Sequence, residues 1–335
     1  MRIFVAGATG AIGRALVPQA VARGHDVTAP ARSPEKAEAL AAAGADPTFV
    51  RDALDADAVS RAVVEAAPDV VVHQLTALPP ALRSFRSFDE TFALTNRLRT
   101  EGTDILVAAA KEAGARTFVA QSFAGWPYDR KGGPVKTEED RLDAAPPKAL
   151  AATLDAIRHL ERATLGAGGI VLRYGGFYGP GTGIAPGAPQ VELVRRRRFP
   201  LVGDGAGVWS FVHVEDAAAA TLLALERGRS GIYNVVDDDP APVAEWLPAL
   251  AAAAGAKPPR RVPAWLGRLA AGEAAVVMLN ETRGASNAKA KRELGWEPRY
   301  ASWRDGFVSV LGGGPAPAAP HARRRPAPDG AACPG

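Results

Sequence analysis

The run Gly7-Ala8-Thr9-Gly10-Ala11-Ile12-Gly13 constrains this chain more than any other stretch. It follows the apolar run Ile3-Phe4-Val5-Ala6 and opens a helical period from about Ala11 to Arg23. A Gly triplet alone is a weak signal, because Gly-rich turns are common. Between a strand and a helix it builds a tight turn whose backbone N–H groups and helix N-terminus face a phosphate. The chain then continues to alternate. Strand candidates recur at Asp26–Ala29, Pro47–Val50, Val70–His73, Thr117–Gln121 and Ile170–Arg173. Helical stretches at Pro34 onward, Ala56–Ala66, Asn96–Ala113 and Leu154–Ala167 separate them, and Ser33 stands where it caps the helix that begins at Pro34. Strands that are apolar on both faces, each followed by a helix, predict an α/β fold with a doubly wound parallel sheet covered on both sides. Pro18 is the one conflict, since a proline inside a helix removes a hydrogen bond and predicts a kink.

The pattern changes after about Gly175, where Gly, Pro and short elements dominate. We therefore expect a nucleotide-binding domain over 1–175 and a small lobe over 176–311 that sends segments back to the sheet. From Gly312 onward the chain is Gly, Pro, Ala and Arg, so 312–335 is expected to be a disordered tail.

Charge and cysteine content exclude several classes. The net charge is +4, and Arg323, Arg324 and Arg325 against Asp329 account for half of it. That leaves no basic face for nucleic acid. The single cysteine, Cys333, cannot form an internal disulfide, and the five histidines lack ligand spacing, so no metal site is expected. Arg2 is followed by an apolar run too short for a secretion signal or a membrane span, which gives a cytoplasmic expectation with no membrane partner.

The Gly-x-x-Gly-x-x-Gly spacing resembles that of the extended short-chain dehydrogenase/reductase family, which contains the nucleotide-sugar epimerases and dehydratases. Further blocks resemble the family in the right order. These are Asp52-Ala53-Leu54, Val72-His73-Gln74-Leu75-Thr76-Ala77, Asn96, Arg173 through Phe177-Tyr178-Gly179-Pro180-Gly181, Val202-Gly203-Asp204-Gly205, Phe211-Val212-His213-Val214-Glu215-Asp216, Ile232-Tyr233-Asn234-Val235 and Lys291-Arg292-Glu293-Leu294-Gly295-Trp296. The resemblance implies a Rossmann-type sheet with a small C-terminal substrate lobe, a nicotinamide dinucleotide and a homodimer. It carries cofactor contacts onto Gly7, Thr9, Gly10, Ala11, Ile12, Gly13, Asp52, Ala53, Leu54, Leu75, Thr76, Ala77, Asn96, Gln121, Tyr174 and Phe177.

Two departures from the family pattern decide the rest. NAD sites place an acid at the end of the second strand, but here the segment reads Thr28-Ala29-Pro30-Ala31-Arg32-Ser33. Arg32 suits a 2′-phosphate, so NADP is expected, with NAD as the alternative; Arg14 lies close behind the glycine loop. The family's Tyr-x-x-x-Lys pair is also absent. None of the five tyrosines is followed four residues later by a lysine. Counting back from Glu161 puts Ile157 at the lysine position and Thr153 at the tyrosine position. Ser122 stands where the family keeps its serine. A replacement acid is therefore sought in Tyr128, six residues past Ser122, with Lys131 or Lys136 supplying positive charge and Tyr178 as the second candidate.

Trp209 stands where nucleotide-sugar members carry a phosphate-binding arginine, and an indole cannot form that fork. The run Arg195-Arg196-Arg197-Arg198 reads as a solvated helix end. Phe123, Trp126 and Trp209, with Phe177 nearby, point to a small apolar or aromatic substrate rather than a nucleotide-diphosphate sugar. Three readings follow: an oxidoreductase on a small carbonyl or alcohol, an epimerase or dehydratase that uses the nicotinamide transiently, and a non-catalytic NAD(P)-sensing protein.

Overall fold

The computed structural model describes residues 1–79 and 84–313. Of the tail expected at 312–335, residues 314–335 lie outside the described residues. Gly312 instead ends a helix, Trp303–Gly312, whose Trp303 and Phe307 are buried.

Strand and helix alternate through β1 (Arg2–Ala6), α1 (Ala11–Ala22), β2 (Asp26–Ala31), α2 (Pro34–Ala42), β3 (Asp46–Phe49), α3 (Ala56–Ala66), β4 (Val70–His73), α4 (Ala93–Arg99), α5 (Glu101–Glu112), β5 (Thr117–Phe123), α6 (Ala151–Gly166), β6 (Ile170–Tyr174), α7 (Val214–Arg227) and β7 (Gly231–Val235). Seven parallel strands form the sheet in the order β7-β6-β5-β4-β1-β2-β3. The order reverses between β1 and β4, which opens a crevice at the carboxyl ends of the strands.

Alternate strand residues serve two cores. Ile3, Val5, Val72, Val119 and Leu172 pack against Leu16 and Val17 of α1 and Ala217 and Leu222 of α7. Phe4, Ala6, Val71, Phe118 and Ala120 pack against Val63 of α3, Leu106 of α5 and Leu160 of α6. Both faces of the central strands are therefore dry, which is why those strands carry no polar alternation. A third core belongs to the C-terminal lobe, where Trp246, Trp303, Phe307, Phe211 and Tyr178 meet.

Three local expectations change. The single helix read over Asn96–Ala113 is two helices, parted at Thr100 (φ −96°, ψ −84°), whose hydroxyl bonds back to the Asn96 carbonyl at 3.0 Å. Pro18 lies inside an uninterrupted α1, on its exposed side, where water can take the Arg14 carbonyl that Pro18 leaves without a donor. Ser33 sits at the N-cap of α2 without a side-chain cap bond.

Gly13 is where α1 seats on the glycine loop. A Cβ there would lie 2.3 Å from the Ala8 carbonyl oxygen. Gly13→Ala should therefore push the helix off the loop and lower unfolding free energy by about 1–3 kcal/mol in denaturant titration. An unchanged midpoint would show that the loop gives way freely.

Candidate active site

β1 runs straight into the glycine loop. Gly7 has φ +97°, and a Cβ on it would sit 2.5 Å from the Gln74 carbonyl oxygen, so only glycine allows β1 and β4 to part here. Gly10 N–H donates to the Gly7 carbonyl at 3.0 Å and places the first turn of α1 over the crevice. The Arg14 guanidinium donates to the Thr9 carbonyl at 3.1 Å, which ties that residue to the loop. From the other side Gly181 (φ +79°) brings the chain after Tyr178 up to Ala11.

A cleft opens beside this loop. Gly7, Thr9, Arg32, Ala53 and Leu75, all expected cofactor contacts, line it together with Phe4, Pro30, Val50, Val59 and Leu106. The wall is apolar, as a flat heteroaromatic base requires. Asp52 closes its own turn by accepting from Leu54 N–H at 2.9 Å. Arg32 is exposed at the rim, with no hydrogen bond or ion pair among the described residues. The glycine cradle, the helix N-terminus and this rim cation fit a dinucleotide.

The turn after β4 is held by His73. Its Nδ1 accepts from Leu75 N–H at 3.2 Å, so Nε2 carries the proton and donates to the Leu98 carbonyl at 3.2 Å. Burial, then the Arg99 charge, pulls its pKa down to about 4, which keeps it neutral. Ala77 N–H donates to the Thr95 hydroxyl at 3.0 Å. Thr76 and Gln121 remain half-buried at the carboxyl edge. Tyr174 is buried, with its hydroxyl held by Gln74 and Thr221, and burial pushes its pKa up to about 12. Its ring lies 5.4 Å from that of Phe177.

Three of the four catalytic candidates hold hydrogen bonds to other residues, and the fourth is enclosed. Ser122 is buried and donates to Glu161 Oε1 at 2.7 Å. Tyr128 is buried and donates to Asn234 Oδ1 at 2.6 Å; burial, against the pull of Arg173, pushes its pKa up to about 12. The hydroxyl read from the sequence as the replacement acid is thus enclosed and committed to Asn234. The Lys136 ammonium turns to the Lys131 carbonyl at 2.5 Å and to Asp140 at 3.2 Å, so it charges its own loop and no phenol. Tyr178 is enclosed by Phe307, Tyr300 and His213, and burial, then Asp237 and Asp216, pushes its pKa far up.

At the positions where counting from Glu161 places the dyad, Thr153 donates to Asp89 Oδ1 at 2.6 Å and accepts from Asn96 Nδ2 at 3.0 Å, and Ile157 is buried. Asp89 also accepts from the N–H groups of Ala152 and Thr153 and so holds the start of α6. Asp89 belongs to none of the sequence blocks, and nothing in the sequence singled it out.

The expected substrate residues do meet. Phe123, Trp126 and Trp209 line one small cleft with Ala124, Gly125, Ser210 and Thr282 at the carboxyl end of β5. Trp126 packs edge-on to Phe88 at 5.8 Å, and the Trp209 indole donates to the Met278 carbonyl at 2.9 Å. Phe88 and Thr282 come from segments without a recognisable motif. Arg195 and Arg197 bond to backbone carbonyls of the lobe, while Arg196 and Arg198 are exposed. Among the described residues no group of three or more His, Cys, Asp or Glu could hold a metal, and no helix is long and apolar enough to cross a membrane.

A glycine-cradled crevice at the switch point of a Rossmann-type sheet defines a dinucleotide-dependent enzyme. Residues 3–236 match the model of the NAD dependent epimerase/dehydratase family, and the chain belongs to that family. It is 48% identical over 318 residues to a 3-diazoavenalumate denitrifying reductase of a Streptomyces species, spanning 92% of this chain and 99% of that protein. It is 30% identical to a 4-hydroxy-2-methyl-3-oxo-4-farnesyl-3,4-dihydroquinoline-1-oxide ketoreductase of Stigmatella aurantiaca, over 94% of this chain and 97% of that one. The fold superposes on the UDP-glucose 4-epimerase of Thermus thermophilus in complex with NAD, with a TM-score of 0.68, 25% identity, and 93% and 98% of the two chains covered.

If Tyr128 is framework, Tyr128→Phe should cost about 1–3 kcal/mol of unfolding free energy by leaving Asn234 unpaired. Turnover per folded molecule should stay within about twofold, against the 10² to 10⁴-fold loss of a general acid. Chemical denaturation and steady-state rates on the same sample separate the two.

Proposed function

We propose that this chain is an NADPH-dependent reductase of a small aromatic acceptor, and that the acceptor is an aryl diazo compound reduced as its diazonium form. The observation that carries this is the vacated dyad: Thr153 is tied to Asp89 and Asn96, Ile157 is apolar, and Tyr128 and Tyr178 are enclosed. Reducing a carbonyl leaves an alkoxide that needs a proton from a positioned acid. A diazonium is already positive at nitrogen. It accepts a hydride, loses dinitrogen and leaves the arene, and no substrate oxygen needs protonating. The name of the Streptomyces relative describes a reduction of that class.

The bound nicotinamide would supply the hydride. Gly7, Gly10 and the first turn of α1 would hold its pyrophosphate, Ala53, Val59 and Leu106 its base, and Arg32 the 2′-phosphate. Phe123, Trp126 and Trp209 would stack on the aromatic ring and exclude water. With Trp209 in place of a phosphate-binding arginine, this cleft lacks the fork that a nucleotide-diphosphate sugar requires. A cytoplasmic homodimer completes the reading.

Two measurements test it. Binding titrations should show NADPH preferred over NADH, with Arg32→Ala lowering that preference about tenfold or more. Equal affinities in the unaltered protein would remove Arg32 from the site. With NADPH, a benzenediazonium salt should be consumed with release of dinitrogen, corrected for the reaction without protein, while acetophenone should remain unreduced. Reduction of acetophenone alone would overturn the diazo reading and require an acid elsewhere.

A further inference from the structure

Thr95, Leu98 and Arg99 are all buried, at the spacing that puts them on one face of α4. That face lies against the end of β4. The Thr95 hydroxyl takes Ala77 N–H, and the Leu98 carbonyl takes the His73 ring. The turn it covers is the one that delivers Leu75 to the dinucleotide cleft.

Arg99 is 8% exposed, and its guanidinium has no hydrogen bond and no ion pair among the described residues, with Nη1 wholly enclosed. The other buried cations among those residues are matched: Arg173 is clasped by both oxygens of Glu161, and Lys136 meets Asp140. His73 beside it is neutral and offers no counter-charge. A guanidinium buried to this degree, with Nη1 enclosed and no acceptor, is costly, and the end of α4 supplies only partial negative charge. Burial pulls the Arg99 pKa down to about 10, which leaves it protonated at neutral pH. Two enclosed acceptors on the same two elements lack donors: Asn96 Oδ1, three residues before Arg99 on α4, and Gln74 Oε1, next to His73 at the end of β4.

We propose that Arg99 is an oxyanion-binding residue of this site, its guanidinium pairing with an oxygen of a phosphate or carboxylate carried by a bound ligand. Asn96 and Gln74 would accept from hydroxyl or amide groups of the same ligand. The proposal rests on the reading that a dinucleotide and an aromatic acceptor meet at this edge of the sheet. The shared chemistry comes either from the dinucleotide phosphates or from a carboxylate on the acceptor.

The test uses the full chain with Arg99→Met and Arg99→Lys, measuring thermal midpoints without ligand and affinities by calorimetry. The probes are NADP⁺, inorganic pyrophosphate, and benzoate in the presence of NADP⁺. Arg99→Met should leave the ligand-free midpoint unchanged or higher, because it removes an unmatched buried charge, and should weaken a probe about tenfold or more. Arg99→Lys should keep part of that affinity. Losses for NADP⁺ and pyrophosphate assign the oxyanion to the dinucleotide; a loss confined to benzoate assigns it to the acceptor. Unchanged affinity for all three probes in every variant that folds overturns the proposal. An unaltered protein that binds no dinucleotide defeats the broader reading instead.

Discussion

One buried hydrogen-bond network ties the sheet together beneath the site. Arg173 on β6 donates to both oxygens of Glu161 on α6, at 2.7 and 2.6 Å. Ser122 on β5 donates to the same carboxylate. Arg173 also donates to the Tyr128 hydroxyl at 3.2 Å, and Tyr128 donates to Asn234 on β7. Three strands, a helix and the loop after β5 are thus joined by one cation, one anion and three neutral groups. In such surroundings each member is strong while matched and costly when left alone, so the set holds one arrangement. The aromatic cleft begins on the residue after Ser122, and its position is inherited from this network.

That commitment explains how the chemistry of the site has shifted. Ser122 and Tyr128 are anchored from below, and α6 carries Thr153 and Ile157 where the sequence resemblance implies an acid and a base. The small cleft at the carboxyl end of β5 is lined by Phe123, Trp126 and Trp209, none of which carries a group that moves a proton at neutral pH. An electrophile that needs only a hydride suits such a wall, because the cost of a missing acid falls on substrates whose reduction builds charge on oxygen.

The glycine loop and the parallel sheet were legible because each depends on local chemistry. Gly7 answers to a positive φ, the apolar strands answer to burial on two faces, and the helix N-terminus follows the loop in the chain. The acid was not legible. Tyr128 looked available because it lies six residues after Ser122, but the loop folds back so that its hydroxyl meets Asn234, 106 residues away in sequence. Asp89 and Phe88 reach the site from a segment without any motif, brought there by the packing of Phe88 against Trp126 and the capping of α6.

The sequence by itself determined the class of sheet, the glycine loop between its first strand and first helix and the absence of any Tyr-x-x-x-Lys stretch, since these rest on residue identity and on neighbours a few positions apart. Only the tertiary structure decided which polar groups are consumed by the framework and which are left without a partner. Ser122 and Tyr128 have partners 39 and 106 residues away, and Arg173 has its partner on another element, whereas Arg99 is enclosed without one. The reason is physical: a side chain's availability depends on what the fold brings within hydrogen-bond distance of it, and that is set by contacts between distant parts of the chain.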